Sequence, residues 1–377
     1  MQNILITGGA GFIGSRLSLE LLKKGYTVTV LDNLSKQIHG EDSESSSLYQ
    51  SIKGKVKFIK GSVCDRSTVE SALEDIDTVV HYAAETGTGQ SMYAIEHYTD
   101  VNVSGTALLL DVIANKPNKV KKIIVASSRA IYGEGAYNCP DHGTVYPEAR
   151  SVEDMSKGDF EVHCPKCFKV TSMIPTAEDS MIKPASIYGI TKYNQEQMFL
   201  VVGKSLGISA IAYRYQNVYG AGQSLVNPYT GILSIFSTRI RNGNEVNIFE
   251  DGLESRDFVH VSDVVNATIL GIEHKETIQS VFNVGSGKAI NVYDLSMKLR
   301  ELLNSDVPVK VTSNFRVGDI RHNLADLTKI KSVLGYVPKI SFEEGLKSFV
   351  EWVKAEAVGK DTYEASIKEL KEKGLYK

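Results

Sequence analysis

Tyr188 and Lys192 stand four residues apart in Tyr188-Gly-Ile-Thr-Lys192, a spacing that sets a phenol and an ammonium on one face of a helix. A phenol is a poor base near neutrality, since its ordinary pKa is about 10. A neighbouring cation favours the phenolate, and such a pair can carry a proton to and from a hydroxyl group. Alone, the same spacing also suits an exposed surface pair. A second group of reactive side chains forms two short knuckles, Cys139-Pro-Asp-His142 and Cys164-Pro-Lys-Cys167. Four sulfur and nitrogen donors in that pattern suit tetrahedral zinc in a closed structural site. His163 competes as a ligand by position, and without metal the segment would be a flexible loop with free thiols.

A third constellation is glycine-rich. Thr7-Gly8-Gly9-Ala10-Gly11-Phe12-Ile13-Gly14 follows an apolar run and opens a helical one, with glycines at G-x-x-G-x-x-G spacing. Such a turn brings a pyrophosphate close to a helix N-terminus, where free N–H groups and the dipole favour an anion. Asp32 lies 18 residues beyond Gly14. A carboxylate there can accept bonds from adenosine ribose hydroxyls and would repel a 2′-phosphate, which favours NAD over NADP. The expected cofactor contacts are Gly8, Gly11, Phe12, Ile13, Gly14, Asp32, Asn33, Ser62, Val63, Ala83 and Ala84. Cys64 in the same stretch reads as an inert small hydrophobe.

These side chains need a frame. Strand-like runs cover Ile4–Thr7, Thr27–Leu31, Val56–Lys60, Thr78–His81 and Lys122–Ala126, with helical stretches at Phe12–Lys24, Thr68–Leu73 and Val103–Asn115 between them. Continuous apolar strands joined by helical crossovers predict an α/β fold, a doubly wound parallel sheet of Rossmann type covered on both faces. Asp32–Ser47, rich in serine and acid, reads as mobile surface, and Lys119–Lys122 as a solvated turn. Residues 133–183 lack periodicity and form an irregular, cysteine-bearing insertion that something must staple. Patterning resumes with a helix over Ser186–Leu206 and a strand over Ser209–Tyr213. Near the end, Tyr363, Ile367 and Leu370 at helical spacing predict an amphipathic helix packed on the body, with Gly374 as its stop. His81 and His260 sit in apolar runs and read as core residues.

The chain has 377 residues, 42% apolar and 23% charged, with a formal charge of −3. Nothing in that balance calls for nucleic acid or an anionic membrane as partner. No leader pattern and no membrane-length apolar stretch is present, so the cytoplasm is the default expectation.

The sequence resembles the extended short-chain dehydrogenase/reductase family, the NAD-dependent nucleotide-sugar epimerases and dehydratases. The resemblance runs from Ile4 to about Trp352 and rests on many ordered motifs. They include Thr7–Gly14, Ser127-Ser-Arg-Ala-Ile-Tyr-Gly133, Tyr188–Lys192, Arg214–Gly220, Arg256-Asp-Phe-Val-His260, Asn283–Gly287 and Arg316-Val-Gly-Asp319. It implies that Tyr188 is the acid/base, that Lys192 binds the nicotinamide ribose, and that Ser128 bonds the reacting oxygen, with Ser127 as structural support. Asn102 is expected among the cofactor contacts, where it would hold strand and helix ends, or else caps a helix. Arg256 and Arg316 would bind the diphosphate, Asp319 the nucleotide ribose, and Asn217 a phosphate or the sugar, although each also suits an ordinary ion pair or cap. A homodimer pairing through two long helices is the family expectation.

Dehydratases of this family carry Asp-Glu directly after the catalytic Ser or Thr, and here Arg129-Ala130 stands in that place. A 4-epimerase working through a 4-keto intermediate is therefore expected. A narrower resemblance points to the dTDP-L-rhamnose 4-epimerases and to polysaccharide biosynthesis. It is carried by Glu85–Tyr93, the cysteine-bearing insertion, Gly222–Thr230 and Gly318–His322. Glu85, Thr86, Arg129, Gln223 and Tyr229 are its sugar-facing residues, with Arg129 alternatively tying down the insertion. Other UDP- or GDP-sugar 4-epimerases, a 4-ketoreductase or dehydrogenase, and a NAD(H)-sensing binding protein are the competing readings. In domain terms, residues 1–216 would bind NAD and 217–377 would form a smaller substrate lobe, with 256–285 returning to the first.

Overall fold

The computed structural model describes residues 2–227, 229 and 231–377. Pro228 and Thr230 of the Gly222–Thr230 run lie outside the described residues. Seven strands form one sheet: β1 (Asn3–Thr7), β2 (Thr27–Asp32), β3 (Lys57–Lys60), β4 (Thr78–His81), β5 (Lys122–Ser128), β6 (Ser209–Tyr215) and β7 (Gln279–Val284). Their order is β3-β2-β1-β4-β5-β6-β7, and every pairing is parallel. The order reverses between β1 and β4, which opens a crevice at the carboxyl ends of the strands, where open α/β sheets bind ligands. Ile4, Ile6, Val28 and Val30 build one face of the core, and Leu5, Leu31, Val79 and Ile123 the other. Alternate residues of one strand thus feed opposite cores, and for that reason these strands read as unbroken apolar runs.

The helices that matter to the site are α1 (Phe12–Lys23), α2 (Gly105–Asn115), α3 (Ile187–Leu206), α4 (Val261–Glu273) and α5 (Tyr363–Glu372). Ser186 caps α3 by accepting a bond from the Gly189 amide at 3.1 Å, and Gly207 ends it at φ +66°. A second lobe gathers around Leu233, Phe258, Leu346 and Phe349, under a three-stranded sheet of Asn217–Tyr219, Ser255–His260 and Ala289–Asn291. The chain's return to the large lobe begins with α4, not at Arg256, because Ser255–His260 pairs inside the small sheet. His260 is only partly buried and caps α4, accepting the Ser262 amide at 3.3 Å, so it is no core residue.

Three further expectations are corrected. The Asp32–Ser47 stretch is not simply mobile surface: it contains a helical turn at Lys36–His39, and His39 is buried. Lys122 is not solvated: its ammonium donates to the carbonyls of Gly271, Ile272 and His274 at the C-terminal end of α4, where a cation answers free carbonyls. Cys64 is exposed, not packed among apolar groups.

The insertion is also more ordered than its composition suggests. Tyr137–Cys139 pairs antiparallel with Gly143–Val145 and with Ser172–Met173 around a small core of Tyr137, Val145 and Val162. Buried charges dock it onto the small lobe. Arg150 donates to both Glu250 oxygens at 2.7 and 2.8 Å, to Glu134 at 3.2 Å and to the Asp319 carbonyl at 3.1 Å. Removing one partner of a buried pair strands the others without hydration. Arg150→Met is therefore expected to lower unfolding free energy by about 3–5 kcal/mol in a urea titration. A loss below about 1 kcal/mol would show that water reaches the network.

Candidate active site

One cavity of about 550 Å³ runs between the lobes at the carboxyl ends of the strands. Its dinucleotide end is built by glycine. A Cβ on Gly14 would lie 2.5 Å from the Gly8 carbonyl oxygen, and one on Gly8, at φ +68°, 2.6 Å from the Ala83 amide nitrogen. Gly11 begins α1 with no side-chain cap and no acid in the first turn, so the helix N-terminus offers its amides to the cavity. Asp32 is buried and accepts the amides of Ala10 at 3.0 Å and Leu34 at 2.8 Å, which fixes its carboxylate at the edge of the cavity. Phe12, Ile13, Asn33, Ser62, Val63, Ala83 and Ala84 line the same end. The residues present fit an adenine dinucleotide.

Asn102 does not line the cavity. It is fully buried, with its amide bonded to both backbone groups of Glu85 and to the Thr191 hydroxyl at 3.0 Å. It ties the loop after β4 to α3, and it sits within a π-helical turn, not at a helix start.

The three side chains expected to move the proton come together at the end of β5 and the first turn of α3. A Cβ on Gly189 would sit 2.7 Å from the Ala130 carbonyl oxygen, so α3 begins in close contact with the turn that follows Ser128. Ser128, Tyr188 and Lys192 all face the cavity. Lys192 donates to the Ala126 carbonyl at 3.0 Å and to Gln195 at 2.8 Å. Gln195 in turn donates to Thr106 at 2.7 Å, and Thr106 meets His81, whose other ring nitrogen meets Thr7. Burial holds His81 neutral, its pKa brought down to about 3. Ser127 donates to Glu196 at 2.7 Å, in the buried Glu196–Arg214 pair, a supporting role.

The electrostatics differ from the simple expectation of a lowered phenol. Burial raises Tyr188 above its ordinary value, while Ser128 and Arg129 pull the other way. Burial also brings Lys192 down to about 7. The ammonium lies 6.0 Å from the centre of the Tyr188 ring. Both groups lose hydration in one place.

At the far end, Asp319 meets Arg256 at 3.2 Å and Arg316 at 3.4 Å. Burial would raise this carboxyl, but Arg316, Arg256, Arg129 and Arg150 override it and hold it at about 2. Arg129, Arg256 and Arg316 stand with Asp319 and Glu254 in a concave wall where three guanidinium groups face two carboxyls, which suits a diphosphate. Arg129 faces this group and the phenol, and its pairing with the insertion is not seen among the described residues. Glu85, Thr86, Asn217, Gln223 and Tyr229 line the cavity between the two ends, with Glu85 3.2 Å from His97.

Sequence reasoning missed several lining residues. His39 reaches within 4.0 Å of Asp32 from the stretch read as mobile. Glu254 carries a buried oxygen with no partner, and burial raises it to about 7. Tyr363, Ile367 and Leu370 of α5 also line the cavity; their helical spacing was legible, but not what they face.

Away from the cavity, Cys139, His142, Cys164 and Cys167 bring one donor atom each within 4.8 Å of one another. Cys139 Sγ lies 3.5 Å from His142 Nδ1 and 3.6 Å from Cys167 Sγ. His163 is not in this group; it faces Asp159 at 3.4 Å.

Residues 4–157 and 167–285 match the NAD dependent epimerase/dehydratase family. The chain belongs to that family. It is 35% identical to the dTDP-L-rhamnose 4-epimerase of Burkholderia thailandensis over 94% of this chain and 96% of that protein. Among solved structures, the UDP-glucose 4-epimerase of Thermotoga maritima with UDP-glucose superposes with a TM-score of 0.75 at 33% identity, over 94% of this chain and 99% of the other. MoeE5 in complex with UDP-glucuronic acid and NAD gives 0.73 at 28% identity, with the same coverage. The chain is thus an enzyme of the NAD-dependent nucleotide-sugar epimerase and dehydratase group. No described helix is long and apolar enough to cross a membrane.

Proposed function

We propose that this enzyme is a nucleotide-diphosphate-sugar 4-epimerase that uses tightly held NAD, with dTDP-L-rhamnose and dTDP-6-deoxy-L-talose as its substrate pair. The observation that carries the reaction type is the placement of Ser128, Tyr188 and Lys192 between a glycine-built dinucleotide end and an arginine-walled end of one cavity. Bound nicotinamide supplies a hydride acceptor and donor. Tyr188 takes the C4 hydroxyl proton and later returns it, Ser128 holds the same oxygen, and Lys192 steadies the charge that passes through the phenol. Arg256 and Arg316 grip the diphosphate, Asp319 orients them and meets the ribose, and Arg129 with Glu85, Thr86, Asn217, Gln223 and Tyr229 bounds the sugar. The resemblance to the Burkholderia enzyme supports the substrate pair.

Arg129-Ala130 after Ser128 leaves no acid–acid pair to eliminate water, which favours epimerisation over dehydration. Incubation with dTDP-L-rhamnose, and with UDP-glucose in parallel, followed by chromatography of products tests the reading. One 4-epimer with no net NADH is expected. Stoichiometric NADH would make the enzyme a dehydrogenase instead. The outward Ile190 and Val201 on α3 support pairing of two copies through their long helices.

The four-donor cluster supports a structural zinc. Zinc–sulfur bonds of 2.3 Å in a tetrahedron place donor atoms about 3.8 Å apart, close to the 3.5–3.6 Å separations of the cluster. Three sulfurs within 4.8 Å of one another, with a ring nitrogen among them, are ligands of one ion more readily than disulfide partners. About one zinc per chain is expected by plasma mass spectrometry of tag-free protein, falling to near none in Cys164→Ser. Equal metal content in the two proteins would remove the site.

A further inference from the structure

The segment from Asp361 to Lys377 lies beyond both the residues matched to the family, which end at 285, and the resemblance, which ends near Trp352. It nonetheless forms part of the cavity. Tyr363, Ile367 and Leu370 present their side chains to it from α5. The last residues form an isolated antiparallel bridge beside the loop that carries Arg316. The Phe315 amide donates to the Lys377 carbonyl at 2.8 Å, the Lys377 amide returns a bond to Phe315 at 3.0 Å, and the Val317 amide donates to Leu375 at 3.0 Å. Arg316 is held between these bonds, opposite Tyr376. Its guanidinium lies 5.0 Å from the Phe249 ring centre, and Tyr376 packs edge-on against that ring at 5.4 Å.

The same segment holds a second substrate-facing residue, because Glu369 accepts a hydrogen bond from the Tyr229 hydroxyl. It is anchored on the small lobe by Arg239, which stacks on Tyr363 at 4.2 Å and bonds Glu364 at 2.9 Å. It also reaches the large lobe, where Lys373 lies 5.8 Å from the Tyr93 ring centre and Leu370 packs beside Gly89. One element thus spans the cleft and fixes both Arg316 and Tyr229.

We propose that residues 361–377 are a positioning element of the nucleotide-sugar site, orienting Arg316 toward the diphosphate and Tyr229 toward the sugar. This rests on the nucleotide-sugar reading above. An arginine on an untethered loop must be ordered at the moment of binding, and that cost is removed when bonds to a bridging segment order it beforehand. The effect therefore falls on substrate affinity more than on turnover or on the distant dinucleotide end.

Two variants test this: a chain ending at Lys360 and full-length Tyr376→Ala. UDP and dTDP binding are measured by calorimetry on the NAD-loaded proteins, with kcat, KM and bound NAD alongside. Each variant is expected to keep its NAD, to lose about 10-fold or more in nucleoside-diphosphate affinity, and to raise KM while kcat stays within about 3-fold. Should the truncated chain fail to fold, Tyr376→Ala carries the test. Unchanged affinity in every variant that folds, or an intact chain that binds neither nucleotide, overturns the assignment. An intact chain that binds nucleotides but epimerises no sugar refutes the activity while the affinity comparison still decides the role of the segment.

Discussion

Tyr188→Phe keeps its fold and its bound NAD but loses epimerisation by about 10²–10⁴-fold, the usual worth of a positioned acid/base. The substitution deletes one oxygen from a side chain whose ring is fixed by the start of α3. Ser186, Gly189 and the turn after Ser128 set the helix position, and none of them depends on the phenol. The backbone amide of Tyr188 also keeps its bond to Ser91 at 3.0 Å. KM should therefore change little while kcat falls, because proton transfer belongs to the transition state and not to ground-state binding. Steady-state kinetics with bound NAD measured in the same preparation checks it. A variant with kcat within about 5-fold of the parent would remove Tyr188 from the chemistry.

The second large effect concerns pH. Lys192 titrates near 7 and Tyr188 above its ordinary value, both because of burial. Below about 7 the pair holds both protons and cannot accept one from the substrate. As pH rises through about 7 the lysine loses its proton and becomes a base beside the phenol. In the parent enzyme kcat/KM is expected to rise through that region and then level off. Lys192→Met removes the group that loses the first proton. The phenol must then ionise alone, from a pKa above 10, so activity near neutrality falls by about 10³-fold and recovers by roughly a decade per pH unit toward pH 10. A Lys192→Met profile parallel to the parent's would show that the lysine only binds cofactor. Its contacts with Ala126 and Gln195 provide the structural cost, which circular dichroism separates from the kinetic one.

The large lobe was legible because its physics is local. Strands buried on both faces must be apolar throughout, and the glycine turn at Thr7–Gly14 has only one common use in that context. The small lobe was not, because strands of three residues such as Val246–Ile248 pair with partners some sixty residues away and carry no period of their own. Composition misled at Asp32–Ser47, where serine and acid suggested solvent but His39 turns inward. It misled at Lys122, whose charge is buried against the end of α4. In the site, most of the motif positions expected to meet cofactor or diphosphate line one cavity. Asn102 does not: the same residue type serves cofactor contact or internal bracing, and only its bonds to Glu85 and Thr191 distinguish them. Periodicity at Tyr363, Ile367 and Leu370 announced a buried face without saying that a cavity lay behind it.

In the proposed reaction hydrogen leaves C4 of the sugar and returns to the same carbon within one site. The direct measurement uses dTDP-L-rhamnose carrying deuterium at C4, converted in ordinary water and followed by mass spectrometry and NMR. The epimer is expected to form with deuterium kept at C4 and without accumulation of NADH. Deuterium lost to solvent, or product formed only with stoichiometric reduction of added NAD, would contradict it.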